Sequence, residues 1–407
     1  MDELSRRKML FAGGTMTALG LLGIASPARA QSPWTWSPGA SVAGSGTGND
    51  PHWVWDDEAD PVIADVIKRG DVPKVNELLR TWTRNDQPLP EGMPGDVRAF
   101  MDKARELPPW AVQSKLDAAA RFTTKKGIYA GALYGLGSGL MSTAIPREAR
   151  AVYYSKGGAD MKDRISKTAK LGYDVGDLDA YRPSGEMIVT TVKTRMVHAA
   201  VRYLLPQSPG WSDTSGGQTI PISLADVMVT WHSLPTFVMR KLLEWKVPVS
   251  ASESEAYLHV WQVTAHMLGV RDEFIPASWA AANAQSKQLL DPVLGPTDEG
   301  KKLTEVLLDI VAELDAGATR PLISAFSRYT LGEQIGDYIG LRKSRPLEAT
   351  VEAAWPLLVA FREGLIPLPL VPAVAWTLEE IIRKIVLVFL SEGERISIEL
   401  PDANRPS

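Results

Sequence analysis

MIVTTVKTRMVHAAVRYLL, residues 187–205, reads as one helix that Pro206 brings to an end. It holds His198, one of only five histidines in the 407-residue chain. Ala199 and Ala200 follow it, so little bulk keeps a flat ring from reaching the imidazole. Arg195 and Arg202 stand three residues before and four after, on the same face. An imidazole between two guanidiniums suits a haem, with iron on the histidine and propionates on the arginines. Taken alone the pattern also describes an ordinary core or surface histidine.

Outward from this helix the 3.6-residue period dominates. Apolar residues recur at three- and four-residue spacing over 61–68, 72–84, 95–106 and 110–126. The same spacing predicts a helix from Ser223 to about His232, then others over 301–315, 320–341, 347–363 and 377–390. Ser252 and Glu255 have capping-box spacing and predict the start of a helix that ends near Gly269. Strand-like alternation is confined to Arg395–Leu400. The fold class is therefore all-α. Residues 31–58, rich in Gly, Ser, Pro and Trp without a period, read as a surface arm, and residues 59–407 as a single helical domain.

Gly127 to Ile145 carries no charge, and Gly127, Gly131, Gly135 and Gly139 fall four apart on one face. Small residues at that spacing admit another helix or a flat ligand. The density of Gly, Ser and Thr favours a buried helix over a membrane span. Leu365–Leu390 is also apolar, but its prolines and charges argue against a span. It is expected to form core or a wall for a greasy substrate.

Residues 1–30 read as an export signal: Arg6-Arg7, an uncharged stretch, then Ala28-Arg29-Ala30 as a cleavage site. The paired arginines point to the twin-arginine route, which carries folded proteins. Formal net charge is -4. Removing residues 1–30 takes away four positive and two negative charges and leaves -6, with no basic run to suggest a nucleic-acid partner. The chain has no cysteine, which excludes disulfides, thiolate-held metals and covalently attached haem.

Three further groups are candidates for chemistry. His259 and His266, with Glu255 a turn earlier, offer two histidines and a carboxylate, although helical pairs that grip one metal usually stand three or four apart. Their apolar neighbours also suit hydrogen-bonded core histidines. Arg164, Lys167 and Thr168 share a face in the helix 160–171, whose plain reading is a solvated basic face. Glu148, in the first turn after Pro146, complements a helix dipole or, if partly buried, acts as a base.

Pro146-Arg147-Glu148, the segment from Met161 through Arg164 to Lys167-Thr168, and Thr194-Arg195-Met196-Val197-His198 together resemble the latex clearing proteins, secreted rubber oxygenases, over essentially the whole chain. That resemblance implies a globin-like helical core with additional helices, holding one non-covalent haem b. His198 is then the proximal iron ligand. Glu148, Arg164, Lys167 and Thr168 lie on the distal side, Lys167 as a possible distal iron ligand. O2 and poly(cis-1,4-isoprene) are the implied co-substrates, with internal cleavage to oligomers bearing aldehyde and ketone ends, by a monomer. Two other readings stand beside it: a non-haem mononuclear metal oxygenase on His259, His266 and Glu255, and a secreted haem-binding protein without activity.

Overall fold

The structure, a computed structural model, describes residues 34–155, 161–215, 217–312, 319–367, 370–375, 377, 382 and 397–404; for residues 161–166, 169, 311 and 312 it describes the backbone alone. The export signal and most of the expected helix 377–390 lie outside these residues. The longer helices are α1 (Ala59–Arg69), α2 (Val72–Thr81), α3 (Gly95–Ala104), α4 (Gln113–Ala132), α5 (Pro146–Tyr154), α6 (Met161–Asp174) and α7 (Met187–Leu204). They continue as α8 (Leu224–Trp231), α9 (Phe237–Glu244), α10 (Ala251–Met267), α11 (Trp279–Leu289), α12 (Asp298–Ala312), α13 (Arg320–Leu331), α14 (Glu333–Tyr338) and α15 (Arg345–Arg362). Among the described residues the only β-type pairings are two isolated bridges, Ser41 with Pro276 and Ser155 with Asn404. Residues 397–400 form no strand, so the alternation read there is that of an extended tail.

Local chemistry accounts for the helix ends. Gly70, at φ +73°, closes α1 and donates its N–H back to the Ile67 carbonyl. Ser223 and Asp226 exchange hydrogen bonds and start α8. At α10 the cap is Ser250 with Glu253, two residues earlier than the Ser252–Glu255 pair that the spacing suggested. The span 320–341 is two helices, because Gly332 sits at φ +85° and turns the chain between α13 and α14.

The apolar faces meet in one large core. α4 lies along α10, α1 along α7, α12 along α5, and α13 along α15. Trp82, Trp211, Trp261 and Trp355 are fully buried, and Trp245, Phe326 and Trp355 pack edge-on or tilted at 4.7–6.2 Å between ring centres. The described part of the segment before α1 is largely exposed and is held to the helices at a few buried residues. Trp36 and Asp56 are buried, and the Val54 carbonyl accepts the N–H of Leu224. No helix among the described residues is long and apolar enough to cross a membrane.

Candidate functional site

Two helices lose their regular winding in the middle of the fold. Leu133–Gly139, at the end of α4, and His232–Thr236, between α8 and α9, are π-helical. The second contains Pro235, which lacks the N–H that would bond to the carbonyl four residues back. The two segments touch: the Ser138 hydroxyl donates to the Ser233 carbonyl. Wide turns of this kind recur at functional sites. Gly137, between the stripe positions Gly135 and Gly139, serves this junction. A Cβ on Gly137 would lie 2.7 Å from Phe237 Cε1, so the missing side chain is what lets α9 approach.

His232 sits at the junction, fully buried, with Thr236 Oγ1 2.9 Å from Nδ1 and Gln285 Oε1 2.9 Å from Nε2. The Gln285 amide N–H₂ donates to the Phe274 carbonyl, which leaves its oxygen to accept from His232 Nε2–H. Burial drives the His232 pKa down to about 3, so the ring is neutral.

α7 places His198 half-buried, with Ala199 and Ala200 beside it in the core. Val197 and Val201 of the same helix pack with Ala151 and Tyr154 of α5, and α6 lies against α7. These three helices carry the residues singled out by sequence. Glu148, in the first turn of α5, is half-buried, and the Thr230 hydroxyl of α8 donates to its Oε1 at 2.7 Å. Its neighbour Arg147 pairs with Asp226 at 2.9 Å, which ties α5 to the start of α8. Thr230 carried no sequence signal, since its link to Glu148 spans 82 residues.

On α6, Lys167 is half-buried and Thr168 exposed, while the Arg164 side chain lies outside the described residues. The Glu399 carboxyl is held below the usual range chiefly by its hydrogen bond from Arg80, with the charge of Lys167 adding to it. The C-terminal end of α6 is pinned to α7 by Lys170, 2.7 Å from Asp174 and 3.0 Å from Glu186, with Thr190 donating to Asp174 at 2.6 Å.

Arg195 and Arg202 meet partners within the protein that their spacing did not suggest. Both are buried and turned to carboxylates of the protein. Arg195 donates to Asp56 at 2.5 and 2.8 Å and to Glu58 at 2.9 Å, and Arg202 donates to Asp60 at 2.7 Å. Burial works against the Asp56 carboxylate, but the hydrogen bonds and charge of Arg195 outweigh it and keep the pKa below its ordinary value. Asp60 goes the other way: burial pushes it up to about 6, and Arg202 offsets that only in part. The acidic run Asp56-Asp57-Glu58-x-Asp60 was the available signal for these partners.

The set of two histidines and a carboxylate does not form. His259 Nε2 accepts the backbone N–H of Val112 at 2.9 Å, His266 pairs with Asp272 at 2.7 Å, and Glu255 is exposed. Trp110 stands edge-on to both rings, 5.9 Å from each. No three metal-ligating side chains cluster among the described residues. His52 pairs with Asp50 at 2.6 Å. His52, His232, His259 and His266 thus have the partners given above, and His198 lies half-buried on α7, the helix that packs against α5 and α6. In a chain without cysteine, an imidazole so placed is the donor that fits a non-covalent haem.

The family profile described as "ER-bound oxygenase mpaB/B'/Rubber oxygenase, catalytic domain" matches residues 126–362, the segment that contains both π-helical turns, Glu148 and His198. The chain is 71% identical over 407 residues to a rubber oxygenase of Streptomyces sp. (strain K30), covering all of both chains. It also resembles a solved structure titled "Structure of Latex Clearing Protein LCP in the closed state", with a TM-score of 0.87 and 73% identity, over 90% of this chain and 99% of that one.

Proposed function

The chain belongs to the rubber oxygenase family, with the latex clearing proteins, and from that premise we propose that Glu148 is the base that acts on the polymer beside a haem held through His198. It is a secreted oxidoreductase, a haem b-dependent oxygenase of polyisoprene that consumes dioxygen. When bound, the haem supplies the redox chemistry of dioxygen; the chain has no thiolate, and its described residues hold no metal-ligating cluster.

The remaining work falls to side chains. Polyisoprene is uncharged, so apolar surface must hold it and ion pairs cannot. A base where the hydrocarbon lies would take an allylic proton from an isoprene unit as the C–H bonding electrons pass to the dioxygen-derived oxidant. The single observation that carries this assignment to Glu148 is its hydrogen bond from Thr230. The hydroxyl fixes Oε1 as an acceptor on a half-buried carboxyl, one turn before the Ala151 that packs against the His198 helix. Arg164 and Thr168, by resemblance, complete the same side. Scission within the chain, leaving an aldehyde on one fragment and a ketone on the other, follows if the polymer enters at any point along its length. Export by the twin-arginine route suits a protein that takes up haem before it crosses the membrane, and replacing Arg6 and Arg7 together by Lys should stop it.

Glu148→Gln tests the base directly. The variant should keep haem and fold yet lose turnover by on the order of a hundredfold. Thr230→Val, which removes only the orienting donor, should lose about tenfold, the equivalent of one hydrogen bond in the barrier. Unchanged turnover in Glu148→Gln would show that the carboxylate merely complements the helix dipole. A single oligomer length from the first turnovers would rule out internal cleavage.

A further inference from the structure

We propose that Asp56 is a positioning residue for the haem-binding helix, clamping α7 through Arg195 and Arg202 on either side of His198. The inference rests on the reading that His198 holds the haem. It concerns residues far from that histidine in sequence, Asp56, Glu58 and Asp60, which the reaction itself does not use.

The geometry is that of a two-point grip. Asp56 takes Arg195 in a fork, Oδ2 from Nε at 2.5 Å and Oδ1 from Nη2 at 2.8 Å. Such a pair fixes direction as well as distance. Arg202 donates from Nε to Asp60 at 2.7 Å and from Nη1 to the Ile222 carbonyl at 3.1 Å, and its Nη2 lies 3.9 Å from Asp56 Oδ2. The two arginines are seven residues apart, about 10 Å along the helix axis. With His198 between them, the helix can neither slide nor roll without breaking a buried bond.

The anchor is itself fixed. Asp56 Oδ1 also accepts the N–H of Ala59 at 3.1 Å, so the same carboxylate that grips α7 starts α1. The Phe100 ring lies 5.2 Å from the Arg195 guanidinium. On the open side the chain crosses at Gly269, φ +89°, where a Cβ would come within 2.5 Å of Asp56 Oδ2 and 2.6 Å of Arg195 Nε. Only glycine lets the backbone seal the pair from water at that distance. Lys103 completes the charge balance, 2.6 Å from Glu58, so three carboxylates face three cations.

Buried ion pairs are a weak source of stability, because removing charges from water offsets most of their attraction. Their distinctive effect is to select one geometry. Here the geometry selected is the axial and rotational setting of the helix that presents His198. Outer groups that orient a metal-binding histidine commonly alter metal affinity by 10- to 100-fold.

The test uses the full-length holoprotein with Asp56→Asn, and Asp60→Asn as a milder variant that removes one partner of Arg202 only. Haem release is timed by transfer to excess apomyoglobin, and hydrogen exchange is followed in peptides across 194–202 and, for comparison, in α13 and α15. Asp56→Asn should release haem at least tenfold faster and raise exchange in 194–202 alone, and Asp60→Asn should do both to a smaller degree. A lowered melting temperature with unchanged haem release, or exchange raised equally in all helices, would overturn the proposal. If Asp56→Asn does not fold, Asp60→Asn decides by the same two readouts. His198→Ala is the control for the underlying reading. If it keeps its haem, the axial assignment is wrong; if it loses haem while the clamp variants release at the native rate, the clamp alone is wrong.

Discussion

Acid should destabilise this protein through one residue above the others. His232 lies fully buried at the π-helical junction, and burial lowers its pKa from 6.5 to about 3. In the unfolded chain the imidazole takes up a proton below pH 6.5, whereas in the folded chain it does not until about pH 3. The stability from this residue is therefore complete above pH 6.5 and is lost as pH falls, by about 1.4 kcal/mol per unit. At pH 5 the loss is about 2 kcal/mol, a large share of a typical domain's margin. His232→Gln keeps a polar side chain but cannot titrate. It should be the less stable protein at pH 7.5, where its bonds to Thr236 and Gln285 are disturbed. The gap between the two should narrow by about 2 kcal/mol at pH 5. Urea unfolding followed by tryptophan fluorescence at pH 7.5, 6 and 5 measures it. Stability profiles that run parallel over this range would refute the reasoning, because they require an imidazole that exchanges protons as it does in water.

Two other outcomes follow from packing. Gly137→Ala places a methyl 2.7 Å from Phe237 Cε1 and should cost about 1–3 kcal/mol, read as a lower melting temperature; an unchanged value would mean that α9 does not pack on the glycine. Lys126, 2% exposed and 2.6 Å from Glu363, should be costly to remove alone, with Lys126→Met losing about 3–5 kcal/mol. The double variant Lys126→Met with Glu363→Leu should recover most of that, and failure to recover would indicate that the pair adds more than charge balance.

Local patterns were legible where one turn of chain settles the matter. The Met187 helix begins where expected, because apolar spacing and Pro206 bound it within a single segment. Ser223 caps α8 for the same reason. Where two local solutions compete, spacing does not choose. Ser250–Glu253 and Ser252–Glu255 fit the same motif, and the helix takes the earlier cap because each added residue gains a backbone hydrogen bond. Periodicity likewise ran on through Gly332, since an apolar stripe does not register a positive φ. The π-turn at His232–Thr236 was missed because Pro235 predicts a break, and a wide turn with helix on both sides is a less common response to it.

The partners of Arg195 and Arg202 mark a different boundary. That two cations flank His198 on one face could be read from spacing, and so could their need for anions. Which anions they meet could not. To a guanidinium, a haem propionate and an aspartate offer the same fork of oxygens, and the aspartates that win lie 139 and 142 residues away. The same limit hid Thr230 from Glu148. What the sequence displays is each group's demand, and the fold decides who meets it. In this protein the acidic run before α1 answers the arginines, and the π-turns bring α8 and α9 against the end of α4. Under the roles proposed above, the first answer bears on the setting of His198 and the second on the helix from which Thr230 reaches Glu148.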